Sequence, residues 1–300
     1  MTPITVPVPA DHGAVRGMLC ALRARYRFLD SWPIGESVCG RELYCLRIGT
    51  GRDAILYAAA FHGQEWITSL VLLRFCEELC AALDGDGRFA DMDFAKAMAG
   101  RSLYLVPQVN PDGVEIALHG SASAGGYAGA VAALSGDTPG LWQANACGVD
   151  LNHNYPAGWE TLAAAEEAAG ITGPSPRQWR GPAPESEPET RAMTALCRRH
   201  RFRHVLALHA QGEEIYWRYG DRTPPQSHLM AEVMAVSSGY TAAEPTGLAS
   251  HGGFKDWFIE ETGRPGFTVE CGRGQNPLPL GDFEPLYERL REMLAILLLM

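Results

Sequence analysis

The chain has 300 residues, 46% of them hydrophobic and 20% charged, with 33 glycines and 20 prolines, a balance that fits a loop-rich globular enzyme and excludes fibrous, disordered and disulfide-stapled miniprotein classes. Thirty-five acidic side chains against 25 basic ones give a net charge of -10 with no Lys/Arg-rich block. Neither a nucleic-acid surface nor an anionic-membrane surface is therefore expected.

Apolar runs of strand length alternate with longer helical stretches, which predicts an α/β fold with a largely buried sheet. Leu43–Ile48 and Ala54–Phe61 read as strands joined by the turn Gly49-Thr50-Gly51. Glu65–Ala82 reads as a helix whose inward stripe is Ile67, Leu70, Val71 and Phe75, and Ser102–Gln108 as the next strand. His119–Gly140, rich in Ala, Gly and Ser, and Gly170–Pro184, rich in Pro and Gly, show no period and read as long loops of functional importance. Ser186 followed by Glu189 has the capping-box pattern and opens a helix to about His200. Strand Arg203–His209, helices about Gln226–Val236 and Phe254–Glu261, strand Gly266–Cys271 and a terminal helix about Phe283–Leu299 complete the reading. Residues 1–33 form a lead-in to one catalytic domain spanning 1–300, since chemically suggestive residues flank both long loops.

None of the eight cysteines forms a C-x-x-C pair, so zinc knuckles and thioredoxin-like chemistry have no support. Met1 to Asp11 lacks a basic region followed by an apolar stretch, and Ala295–Met300 is too short to cross a bilayer. The expectation is a reduced, cytoplasmic protein; a leader removed beforehand would leave export open.

The chemistry concentrates at strand ends. In Phe61-His62-Gly63-Gln64-Glu65, His62 falls where a strand stops and Glu65 in the first turn of the following helix. A tight turn at Gly63 aims both side chains into the crevice beyond the strands' carboxyl ends, where open α/β sheets place ligands. His209 ends the strand His204–Leu208, and Glu270 closes Phe267-Thr268-Val269. Each alone is more often a packed or surface residue. Together they offer imidazoles and carboxylates suited to a catalytic zinc, which takes three protein ligands.

These residues carry a resemblance. His62-Gly63-Gln64-Glu65, Asn110-Pro111-Asp112-Gly113, Gly148-Val149-Asp150-Leu151-Asn152, Ser186-Glu187-Pro188-Glu189, His209 and Thr268-Val269-Glu270 form an ordered series similar to the zinc carboxypeptidases of the carboxypeptidase A superfamily. The resemblance implies a single α/β/α sandwich with a mixed central sheet. It also implies one Zn2+ per chain on His62, Glu65 and His209, and Glu270 as general base. His209–Trp217, Lys255-Asp256-Trp257-Phe258 and Asn276–Leu280 resemble the branch of γ-D-glutamyl-meso-diaminopimelate peptidases. That implies a small peptide substrate, the stem of a muropeptide, with no nucleic-acid or membrane partner. An ordinary metallocarboxypeptidase on α-linked peptides, a small-acid amidase and a catalytically inactive muropeptide-binding protein are the alternatives.

Departures from the family pattern matter. Digestive-type relatives carry Arg where this chain has His153 after Asn152, so Asn152 and His153 are expected to position a substrate carboxylate. No Arg lies between Arg101 and Arg177 to steady an oxyanion, which leaves Arg180, Arg218 or Arg222 as substitutes. The expected tyrosine before Glu270 gives way to Ser250-His251-Gly252-Gly253, where His251 is the candidate donor or a solvent-exposed loop residue. Glu213 or Glu214 is expected to meet the substrate's amino group.

Overall fold

The computed structural model describes residues 2–136 and 138–300; Met1, in the lead-in, and Asp137, in the Ala/Gly-rich stretch, lie outside them. The chain runs α1 (His12–Arg25), β1 (Asp30–Glu36), β2 (Glu42–Ile48), β3 (Asp53–Ala59), α2 (Ile67–Asp84), β4 (Arg88–Phe89), β5 (Met92–Asp93), α3 (Phe94–Ala97), β6 (Arg101–Val106), α4 (Pro111–His119) and α5 (Ala128–Ser135). It continues through α6 (Trp159–Ala168), α7 (Pro188–Arg199), β7 (Phe202–His209), β8 (Glu214–Tyr216), α8 (Gln226–Ser238), β9 (Thr241–Ala243), α9 (Phe254–Thr262), β10 (Gly266–Glu270) and α10 (Phe283–Leu299).

Among the described residues, eight strands form one sheet in the order β1-β2-β6-β3-β7-β10-β8-β9. The central neighbours β6, β3, β7 and β10 pair parallel, while β1–β2, β2–β6 and β10–β8 pair antiparallel. Strand alternation divides the core into two layers. On β3, Ile55, Tyr57 and Ala59 pack with residues of α1, α2 and α10, whereas Ala54, Leu56 and Ala58 pack with Met193 and Leu196 of α7 and Trp257 and Phe258 of α9. This is the mixed-sheet α/β/α sandwich that the family resemblance implies. No described helix is long and apolar enough to cross a membrane.

The sequence reading needs three corrections. The stretch His119–Gly140 holds a 3-10 segment, Ser121–Tyr127, and α5. Helix α7 does not use the expected capping box. Glu187 is its N-cap and Pro188 its first residue, with no side-chain cap bond. Ser186 Oγ instead donates to Glu187 Oε1, and Glu189 accepts from the backbone N–H of Val38 and from Asn145. The missing N–H of Pro188 costs a first turn nothing. Elements α1, β1, α4 and α6, together with the short α3, β4, β5, β8 and β9, went unread in the sequence.

Candidate active site

Strands β3, β7 and β10 deliver the key residues to one sheet end. After β3 the chain turns sharply at Ala60, whose φ is 51°. Its N–H is taken up by Thr68 Oγ1, and that hydroxyl donates to the Glu65 carbonyl. His62 stays extended before the 3-10 turn Gly63–Glu65. Gly63 lies against α4 so closely that an added Cβ would stand 2.1 Å from the Gly113 carbonyl oxygen. Asn110 stitches this turn in place. Its Nδ2 donates to the carbonyls of Phe61 and Gln143, and its Oδ1 accepts from the Gly113 N–H. Asp112 of the same motif accepts from Ser37 Oγ, the Cys39 N–H and Arg41. The Asn-Pro-Asp-Gly segment is thus a brace under the His62 turn.

His62 Nδ1 stands 2.8 Å from Glu65 Oε1, His209 Nδ1 3.1 Å from Glu65 Oε2, and the two Nδ1 atoms 3.3 Å from each other. Donors at zinc-ligand distances in a tetrahedron are about 3.4 Å apart, so this trio matches a zinc cradle closely. Asp150 Oδ1 lies 3.1 Å from His62 Nε2. Carboxylates thus face both ring nitrogens of His62, Glu65 at Nδ1 and Asp150 at Nε2; with a metal on Nδ1, the one remaining proton would sit on Nε2 and donate to Asp150. His209 Nε2 is buried without a hydrogen-bond partner, while its ring stacks on Phe61 at 5.1 Å.

The electrostatics agree with a site built for a cation. Burial pushes the His62 imidazole down, but the carboxylates of Glu65 and Asp150 outweigh it and hold its pKa well above the ordinary value. Burial also lowers His209, and there it prevails over the Glu65 carboxylate. Glu65 and Asp150 are held below the usual carboxylate range, burial being overcome by the neighbouring imidazoles. Glu270 pairs in register with His209 across β7 and β10. Burial first, then the charge of Glu65, lifts its carboxyl to about 8 against the opposing pull of His62.

The outer candidates separate into those at the site and those occupied elsewhere. Asn152 sits beside Asp150, which accepts its N–H, and its Oδ1 receives the Phe254 N–H at the start of α9. His153 is buried with Nδ1 3.0 Å from both Glu166 Oε1 and the Gln178 carbonyl; the expected carboxylate contact gives way to an internal acceptor pair. Arg180 donates to Glu166 at 3.0 Å and covers Trp159, and exposed Arg218 pairs with Glu244. Glu213 is buried and clasped by Arg289 and Arg273 at 2.9 and 2.7 Å, so its carboxylate is committed away from substrate. Glu214 is the one set opposite Glu270 in the β8–β10 register, with Tyr216 donating to it at 2.6 Å. His251 Nδ1 lies 3.1 Å from the Tyr219 hydroxyl. Sequence reasoning assigned no role to Asp150, although an acid close to a zinc histidine is a common orienting partner. It gave no role to Tyr219, and it took Lys255 and Asp256, a buried pair here, only as part of a resembling stretch.

The zinc carboxypeptidase family profile matches residues 18–293. A γ-D-glutamyl-L-diamino acid endopeptidase of Lysinibacillus sphaericus is 38% identical over 281 residues, covering 93% of this chain and 69% of the relative. Among solved structures, the carboxypeptidase A of Helicoverpa armigera superposes with a TM-score of 0.72 at 19% identity, covering 96% of this chain and 73% of that one. A murein-tripeptide amidase of Escherichia coli O157 superposes with a TM-score of 0.56 at 21% identity, covering 89% and 91%. The profile's extent and the 38% relative place this chain in the zinc carboxypeptidase family, hydrolases that work with a zinc ion.

Proposed function

We propose that the chain hydrolyses an amide bond in bacterial wall peptides, the γ-D-glutamyl–meso-diaminopimelate linkage, with His62, Glu65 and His209 holding the zinc. The likeness to the γ-D-glutamyl-L-diamino acid endopeptidase over 93% of the chain carries the choice of linkage, and Glu214 beside Glu270 gives this chain a carboxylate for the leaving residue's second amino group. When bound, zinc supplies Lewis acidity that polarises a carbonyl and lowers the pKa of water. Glu270 takes a proton from the attacking water as general base and returns it to the leaving nitrogen as the C–N bond breaks. Asp150, accepting from His62 Nε2, would favour the tautomer that leaves Nδ1 for the metal. Asn152, held against the first turn of α9, would position a substrate carboxylate.

The test is hydrolysis of L-Ala-γ-D-Glu-meso-diaminopimelate, with its α-linked L isomer as control. Release of diaminopimelate from the γ-linked peptide is expected, abolished by chelator and restored by zinc. Glu270→Gln should lower kcat by about a hundredfold to ten-thousandfold while binding the same zinc. Equal cleavage of the α-linked isomer, or chelator-resistant release, would overturn the proposal.

A further inference from the structure

A second convergence of metal-ligating side chains lies on the outer surface between α1 and α4. Glu115 and His119 stand one turn apart on α4, so their side chains share a face. Asp11, the N-cap of α1, meets them from the lead-in. Each of the two carboxylates gives one oxygen to a backbone N–H. Asp11 Oδ1 accepts the Ala14 N–H at 2.7 Å, and Glu115 Oε1 accepts the His12 N–H at 2.9 Å. Both remaining oxygens turn toward His119 Nε2, at 3.0 Å for Asp11 Oδ2 and 3.9 Å for Glu115 Oε2. The three donor atoms all lie within 4.8 Å of one another.

That geometry brackets the donor spacing of about 3.4 Å that a tetrahedral ion requires. It is also fixed in advance, because the backbone bonds that orient the carboxylates use the oxygens an ion would not need. Among the described residues, the guanidinium in contact is that of Arg41, 4.0 Å from Glu115 Oε2. It is anchored elsewhere, donating to Asp112 and to the Ser123 carbonyl. Two carboxylates compensate a divalent charge, and one imidazole with two carboxylates suits zinc or manganese better than a soft thiophilic ion. We propose that Asp11, Glu115 and His119 form a second divalent-metal site, with zinc as its ligand and solvent completing the coordination. His119 is half-exposed, so the ion binds here more weakly than in the buried cradle. By linking residue 11 to α4, it clamps the lead-in onto the helix that braces the His62 turn.

The experiment titrates zinc into metal-free full-length chain and counts bound ions by native mass spectrometry, with thermal unfolding in parallel. Wild type should take up two equivalents, the second weaker and accompanied by a further rise in Tm. His119→Gln should take up one, keep the wild-type Tm without metal and lose the second rise. Glu115→Gln, which retains an oxygen for the His12 N–H, should do the same. His209→Asn should lose the tight equivalent and keep the weak one. Saturation of wild type at one equivalent, or a second equivalent that persists in His119→Gln, would overturn the site.

Discussion

Asp150 shows how far a single side chain's influence reaches. One of its oxygens accepts from His62 Nε2 and the Asn152 N–H, and the other from the Gln178 N–H. In Asp150→Asn an amide nitrogen turned toward His62 would donate rather than accept. The imidazole proton would then move to Nδ1, where the metal must bind. Zinc affinity is expected to fall about tenfold to a hundredfold, with activity recovering as zinc is raised; competition with a calibrated chelator measures it, and an affinity within twofold of wild type would refute the role. The same scale shows why some site residues were legible and others were not. His62, Glu65, His209 and Glu270 announce themselves because polar groups at the ends of apolar strands need a reason to be there. Glu213 and Glu214 are adjacent, but Glu214 opens β8 while Glu213 turns just before it with a φ of 55°, and the sequence alone does not say which faces Glu270. The register of β8 against β10 decides it, and two distant arginines take the other.

At the level of elements, the fold's clearest signals were its buried parallel strands, β3, β7 and β10, and its longest helices, α2 and α10. Strand β1 was silent because it lies at the sheet edge with Pro33 and Gly35 inside it and polar residues along it, a composition that edge strands tolerate and central ones do not. Helix α1 carries two glycines and is fixed largely by its Asp11 cap and by burial of Val15, Met18, Leu19 and Leu22. Helix α4 hid behind its Pro-Asp-Gly opening, although Pro at the first position favours a helix start. Its contact with the His62 turn makes a prediction. In Gly63→Ala the new Cβ would meet the Gly113 carbonyl oxygen at 2.1 Å, its carbon at 2.3 Å and the Trp142 carbonyl oxygen at 2.8 Å. All three are backbone atoms, which no rotamer change can move aside. The turn must separate from α4, at a cost of about 1–3 kcal/mol, and zinc binding should weaken with it. Urea unfolding of the metal-free variant checks the first part; an unchanged midpoint would mean that the two segments are less rigidly packed than described.

For the molecule as a whole, the polar residues that join its segments set how stability responds to pH. Glu189 of α7 binds the Val38 N–H from the β1–β2 turn and the Asn145 side chain from the loop before Asp150. It is fully buried. Burial above all, reinforced by the charges of Asp112 and Glu187 and only partly countered by backbone N–H groups, pushes its carboxyl up to about 8 from an ordinary 4.5. The folded chain therefore keeps a proton that the unfolded chain releases. Below about pH 4.5 both states hold it and the group is neutral to stability; between that value and about 8 the unfolded state gains, and stability falls as pH rises. The slope contributed by this one group approaches about 1.4 kcal/mol per pH unit and vanishes above 8. Asp150 works in the opposite sense. Its lowered carboxyl contributes stability above its ordinary value that is lost as pH falls through the folded one, so the two windows do not overlap. Glu189→Gln keeps an oxygen for the Val38 N–H but has no proton to lose. Urea unfolding from pH 5 to 8 on the zinc-loaded forms should show wild type losing stability relative to the variant progressively across the window, by a few kcal/mol in total. A difference that stays constant with pH would mean that Glu189 is ionised in the fold, its charge carried by the Val38 N–H and Asn145 alone.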